Sequence, residues 1–189
     1  KNCFRNINFG SGGLGHPSYL NLDYSPDISK DEYFFDLRWM QPSFFFENVS
    51  IVTMISCINY ISHDRLLNVM RDIYTILAPD GIVRIGIQDL EAFTKSYLNG
   101  TGILFDELAN GSPRFPGNTP ADKFCTLLYG HKPYSTYKYV YDAASLSFLL
   151  KEAGFTSVHQ VFYGSSSNSI AVLNDTRPDQ MFYVEASKL

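Results

Sequence analysis

Cysteine is scarce in this 189-residue chain, and the three present (Cys3, Cys57 and Cys125) are scattered and odd in number, which argues against a disulfide framework. They read as reduced thiols, with the expectation of a cytoplasmic protein and no metal centre. Long apolar runs are lacking as well. None approaches the roughly 20 residues that a bilayer-spanning helix needs, and the opening residues lack the pattern of a secretory signal. No dense run of Lys and Arg stands out, and the formal net charge is -4. A phosphate-backbone partner calls for a concentrated basic face, so nucleic acid is disfavoured. Internal repeats are absent. The chain opens with Lys1 rather than Met, as a piece of a longer protein would.

What is present is globular. A hydrophobic share of 45% with 18% charged residues excludes disorder. The length suits one domain, residues 1–189, with a sizeable core. Aromatics reach 15%, with 13 Tyr and 15 Phe, enough for a core, an interface or a sugar- or ring-binding surface. Composition does not choose among these.

The chain is organised around Asn6-Ile7-Asn8-Phe9-Gly10-Ser11-Gly12-Gly13-Leu14-Gly15, followed by Tyr19-Leu20-Asn21-Leu22-Asp23. A short apolar run ends in a glycine turn, where a ligand can approach the backbone because no Cβ blocks it. A second run ends in an aspartate placed to accept hydrogen bonds from both hydroxyls of a ribose. Read literally, Gly10-x-Gly12-x-x-Gly15 matches the dinucleotide fingerprint. That fingerprint needs a helix after the glycines and an acid about 20 residues on. Here His16-Pro17 follow at once and Asp23 comes too early for a full crossover helix. The NAD reading is therefore weak, and the first crossover must be abbreviated.

These residues resemble the S-adenosylmethionine (SAM)-dependent methyltransferases often associated with surface-polysaccharide and glycan synthesis. In that family a strand like Ile7–Gly12 runs almost directly into one like Leu20–Asp23. The resemblance continues through Asp36-Leu37-Arg38, the block from Leu66 to Glu91, the stretch from Tyr141-Asp142 to Phe155, and Tyr183-Val184-Glu185-Ala186. It implies a class I, Rossmann-like α/β fold: a mostly parallel seven-stranded sheet with an antiparallel strand and a reduced first crossover helix. It also implies SAM as cofactor, with Asn8, Gly10, Ser11, Gly12, Asp23, Asp36, Leu37, Ser56 and Cys57 at its site. Asp36-Leu37 would lie beside the adenine.

Several of these residues have plainer readings. Asn8 can be a strand-end residue bonding its own turn, and Asp23 can start the turn before Pro26. Asp36 can be a cap. The apolar run Val49–Ser56 suits a strand buried on both faces of a parallel sheet, and its carboxyl end should face the ligand. There the chain departs from its family, carrying Asn59-Tyr60 where Glu-His is usual, and Tyr137-Lys138 where His-Lys is frequent. Asn takes no proton, and Tyr is a poor base at neutral pH. Asp89, at another strand's carboxyl edge, is the remaining candidate base, or else a helix cap. Tyr60, Tyr137 and Lys138 would position the acceptor.

Periodic Leu66, Leu67, Met70, Ile73, Tyr74 and Leu77 predict a helix, capped by Ser62 and ended by Pro79-Asp80-Gly81. Arg84, in the next strand, suggests a salt bridge at the edge or end of the sheet. Residues 99–137 break the alternation and predict a cap with two short helices over the substrate cleft, with His131, Lys132, Tyr134, Tyr137, Lys138 and Tyr139 crowding its exit. A helix from Asp142 to Gly154 and two closing strands complete the chain.

The functional expectation is a SAM-dependent methyltransferase acting on an oxygen or nitrogen of a sugar, glycan or related small molecule. The alternative is an inactive module of the same fold, in a larger protein or an oligomer.

Overall fold

The computed structural model describes residues 4–130 and 136–189. His131, Lys132 and Tyr134, expected at the exit of the insertion, lie outside the described residues. So does Cys3.

Among the described residues, seven strands form one sheet: β1 (Asn6–Phe9), β2 (Leu20–Asp23), β3 (Glu32–Phe34), β4 (Val49–Ile55), β5 (Leu77–Gln88), β6 (Ser157–Val161) and β7 (Met181–Ser187), in the order β3-β2-β1-β4-β5-β7-β6. Strands β1 to β5 pair in parallel, whereas β7 runs antiparallel to both β5 and β6. This is the mostly parallel Rossmann-like sheet expected, with one antiparallel strand. Four helices accompany it: α1 (His63–Ile76), α2 (Leu90–Asn99), α3 (Pro120–Tyr129) and α4 (Ala143–Glu152). None of them is long and apolar enough to cross a membrane.

The connection from β1 to β2, residues 10–19, holds no helix at all, so the first crossover helix is missing and not merely shortened. The next two connections carry only single 3-10 turns, Ile28–Lys30 and Pro42–Phe44. The two faces of the sheet are consequently unlike. Alternate residues of the central strands (Ile7 and Phe9, Val52 and Met54, Val83 and Ile85, Val184 and Ala186) build the main core, together with Leu66, Met70 and Ile73 of α1 and Leu146 and Leu150 of α4. A helix satisfies its own backbone, so this face can be entirely apolar.

The other face is covered by irregular chain, residues 10–19 and 162–180, and backbone without secondary structure needs partners. The sheet supplies them as a polar row running across four adjacent strands. Asn8 Nδ2 donates to Asn21 Oδ1 at 3.1 Å, Thr53 Oγ1 to Asn8 Oδ1 at 2.9 Å, and Asn174 Nδ2 to Thr53 Oγ1 at 2.9 Å. Asn21 Nδ2 reaches the carbonyl of His16 and Asn174 Oδ1 accepts from the His16 N–H, fastening the helix-free connection. In the next strand of the same row stands Arg84. Strand β5 lies inside the sheet, so the expected place of this residue at an edge or end is corrected. It is 0% exposed and pairs with Asp175 and Glu185.

Two other expectations change. Ser62 stands at the cap position of α1, but its hydroxyl accepts no helix N–H. Pro79-Asp80-Gly81 does not end that helix. The strand begins already at Leu77, and the pairing slips from Val49↔Leu77 to Ile51↔Ile82, leaving residues 78–81 as a bulge with Asp80 at φ 59°. Asp142 and Gly154 bound α4 as expected: the Asp142 carboxylate accepts from Ser145 N–H, and Gly154 follows the C-cap at φ 108°.

Within residues 99–137, one of the two expected helices forms. It is α3, capped by a reciprocal Thr119–Asp122 box with Pro120 in its first turn. The stretch 103–108 is instead a turn at 103–105 followed by irregular chain with an isolated antiparallel bridge from Glu107 to Pro113. Its side chains Ile103, Leu104 and Phe105 pack with Phe93, Phe124 and Leu127 into a separate small core.

Candidate functional site

A cavity of about 530 Å³ opens at the carboxyl edge of the sheet, within the range of small-molecule and cofactor sites. The strand order arranges its walls. The end of β3 contributes Phe35, Leu37 and Arg38, the end of β2 Asp23 and Tyr24, the β1 turn Gly10 to Leu14, and the end of β4 Ile55, Cys57 and Tyr60.

The β1 turn is shaped by glycine. Gly10 adopts φ 74°, and a Cβ there would stand 2.5 Å from Cys57 Cβ, so any other residue would push β1 and β4 apart. Gly12, at φ 55°, has open space around the position of a Cβ. The Asp23 carboxylate faces this turn and accepts from Gly12 N–H at 3.0 Å through one oxygen and from Ser25 N–H at 2.8 Å through the other. Each oxygen keeps a second acceptor position. Ser11 Oγ is buried and makes no hydrogen bond of normal geometry. An open glycine turn and a carboxylate with spare acceptor capacity are the features a nucleoside cofactor requires here.

Two residues of this wall carried no readable signal in the sequence. Glu32, at the start of β3, is buried and accepts from Gly13 N–H at 2.7 Å and Asp27 N–H at 2.8 Å. Burial pushes its carboxyl up, but the nearby Ser11 hydroxyl and these two N–H groups outweigh burial and hold it below the ordinary range. Arg177 enters from the β6–β7 connection, with Nη1 3.5 Å from Ser56 Oγ.

Every residue expected at the cofactor site lines this cavity: Asn8, Gly10, Ser11, Gly12, Asp23, Asp36, Leu37, Ser56 and Cys57. Their surroundings refine the roles. Asn8 spends one amide hydrogen and its oxygen on the polar row. Asp36 is held by the Arg38 guanidinium at 2.7–3.1 Å, which keeps its carboxyl below the usual range. Leu37 is buried as part of the main core and lines the cavity. Burial and the Asp23 carboxylate push the Cys57 thiol up to about 12, so it is no nucleophile at neutral pH.

Of the residues expected to act on the acceptor, Tyr60 alone lines the cavity. Tyr137 meets it edge to face, ring centroids 5.2 Å apart, and burial raises both hydroxyls above their ordinary value. Lys138 arrives beside them through its backbone, whose N–H donates to the Asn59 carbonyl at 2.7 Å. Asn59 is buried with its amide on Gln88, which in turn reaches Ser56 Oγ. Asp89, expected as the base, is the N-cap of α2: one carboxylate oxygen accepts from Glu91 N–H at 2.9 Å and Ala92 N–H at 3.3 Å. It is not among the cavity-lining residues, because α2 starts where β5 ends and claims the side chain for its own N–H groups.

No protein-family profile and no curated protein sequence matches the chain. Its fold, by contrast, is widely shared. A SAM-dependent methyltransferase from Archaeoglobus fulgidus superposes with a TM-score of 0.59 at 14% identity, over 100% of this chain and 87% of that one. A SAM-dependent methyltransferase from Mesorhizobium loti gives 0.58 at 14% identity, over 97% of this chain and 90% of the other. The SAM-dependent methyltransferase SibL gives 0.59 at 15% identity over 97% of this chain, which spans only 50% of SibL. At such identities the likeness establishes a shared Rossmann-like fold.

Proposed function

We propose that the chain binds SAM in the cavity at the carboxyl edge of its sheet and transfers the methyl group to an oxygen or nitrogen of a sugar, glycan or related small molecule. The observation that carries this reading is Asp23, at the tip of β2, facing the open glycine turn of β1 in one cavity. The likeness of fold to SAM-dependent methyltransferases supports it. The glycan class of acceptor rests on the family resemblance of the sequence, and the aromatic wall of Tyr60 and Tyr137 suits a sugar ring.

The bound cofactor would supply a methyl group on a sulfonium, already a good leaving group. The protein's part is then to bind and align. Asp23 would accept from the ribose hydroxyls, the glycine turn would let the ligand lie against the backbone, and Phe35 and Leu37 would flank the adenine with Asp36 at its edge. Tyr60 and Tyr137, neutral at physiological pH as phenols ordinarily are and raised further by burial, would position the acceptor, Tyr60 from the cavity wall and Tyr137 behind it, with Lys138 at the rim. Alignment of two reactants can account for about 7–11 kcal/mol of a barrier. Residues 99–137 would act as a cap through Tyr137, their contact with the cavity wall.

The second reading is a module without turnover. Among the described residues, the β4 side of the cavity presents no carboxylate or imidazole to take a proton from a sugar hydroxyl. Calorimetry with SAM and S-adenosylhomocysteine, followed by methyl transfer to a panel of sugars and glycolipids, separates the readings. Binding of both nucleosides with methylation of a panel member is the expected result. Absence of binding overturns the cofactor assignment, and binding without any methylation leaves the module.

Because Asp89 caps α2, Asp89→Asn should keep the thermal midpoint, Asn capping about as well as Asp, and should keep turnover within about twofold. A fall of about 10²-fold or more with unchanged SAM affinity would instead mark Asp89 as the base.

A further inference from the structure

Building on the cofactor reading above, we infer that Arg177 binds the amino-acid carboxylate of the cofactor, in the part that a helix N-terminus plays elsewhere. In nucleotide-binding sheets the glycine turn runs into a helix whose free N–H groups and positive dipole end meet the ligand's negative charge. Here no helix follows the turn. The cavity is also rich in carboxylates, with Asp23, Asp27, Glu32 and Asp36 in its walls. A further carboxylate entering such a site is stabilised by an uncommitted cation, which leaves the ligand's own ammonium to the acidic walls.

Of the three cations that line the cavity among the described residues, two are committed. Arg38 is engaged by Asp36 through both carboxylate oxygens. Lys30 donates to the Gly13 carbonyl at 3.0 Å and lies 3.8 Å from Asp27. Arg177 has no carboxylate partner among the described residues, and its one polar side-chain contact is the 3.5 Å approach to Ser56 Oγ.

Its position fits the ligand's order. Ser56 follows β4, which adjoins β1 on the side away from β2 and β3. With the adenine at the β3 end and the ribose at Asp23, the amino-acid portion is what remains for the β1–β4 side, where the guanidinium stands.

The side chain rises from a fixed base. Asn174 is bonded to Thr53 and to the His16 N–H, Asp175 to Arg84, and Thr176 to the Tyr183 hydroxyl through both its N–H and its carbonyl. Immediately after these three anchored residues, Arg177 takes a left-handed φ of 54°, a conformation rare for a side chain of this size. The backbone under Arg177 is thus fixed, while its exposed side chain is free to turn from Ser56 to a ligand.

The test compares S-adenosylhomocysteine with 5′-methylthioadenosine, which keeps the adenine and ribose but lacks the amino-acid portion. Calorimetry is run on the unmodified chain, on Arg177→Gln, and on Arg177→Gly, which suits the left-handed backbone. Both variants should weaken S-adenosylhomocysteine by roughly tenfold or more, the effect of losing a charge-assisted hydrogen bond, and change 5′-methylthioadenosine by less than about twofold. Arg177→Lys should recover part of the loss. Equal weakening of the two ligands, or unchanged S-adenosylhomocysteine affinity in both variants, overturns the assignment and leaves the cofactor reading intact. If the unmodified chain binds neither nucleoside, the cofactor reading and this assignment both fall.

Discussion

An Arg84→Ala variant should be less stable by about 3–5 kcal/mol, the usual loss when one partner of a buried ion cluster is removed. The Arg84 side chain is 0% exposed, and its partner side chains are 2% exposed at Asp175 and 12% at Glu185. All five guanidinium donors are used: Nε and Nη2 on Asp175, Nη1 on Glu185, and the two remaining hydrogens on the carbonyls of Ser165 and Phe162. Alanine would strand two carboxylates against the sheet and free two carbonyls of the covering loop. The Tyr183 ring, 4.9 Å from the guanidinium, would lose its cation as well. For a chain of this length the loss corresponds to a thermal midpoint lower by roughly 6–20 °C. Arg84→Lys should rescue little, since an ammonium has three donors and no planar fork. A midpoint within about 2 °C of the original would show that the sheet face holds its loop without this cluster.

The second large effect is expected on binding. Asp23→Ala should weaken SAM, S-adenosylhomocysteine and adenosine alike by roughly ten- to hundredfold, because all three share the ribose and lose charge-assisted hydrogen bonds of about 1.5–3 kcal/mol. This uniform loss differs from the selective one expected at Arg177, so the two residues can be told apart with the same ligands. Asp23 also holds the Gly12 and Ser25 N–H groups, and alanine will loosen the turn. Asp23→Asn, which keeps the shape and one acceptor oxygen, separates that contribution. If it restores the midpoint without restoring affinity, the carboxylate itself binds the ribose. Unchanged affinity in both variants would remove Asp23 from the site.

Local chemistry alone determined much of this protein. The glycine turn and Asp23 are legible because turn residues and a strand-end acid stand close together in the chain and need no distant partner to be recognised. The same holds for the helix from Asp142 to Gly154, whose caps lie within a turn of its ends, and for the apolar run of β4. The sequence spacing also required an abbreviated first crossover, and the structure removes that helix altogether.

Other features were decided only by tertiary pairing. Arg84 looks out of place in an internal strand until Asp175, 91 residues away, folds back over it. Arg177 lies 121 residues from Ser56 and follows no motif; it reaches the cavity because the antiparallel β7 returns its preceding loop to the carboxyl edge of the sheet. Asp89 caps α2 through the local N–H groups of Glu91 and Ala92; what the tertiary structure adds is that its side chain is not among those lining the cavity. Periodicity and turn chemistry record interactions among neighbours in the chain. A charge whose partner comes from a distant loop leaves no such record, and its role emerges only when burial makes the pairing obligatory.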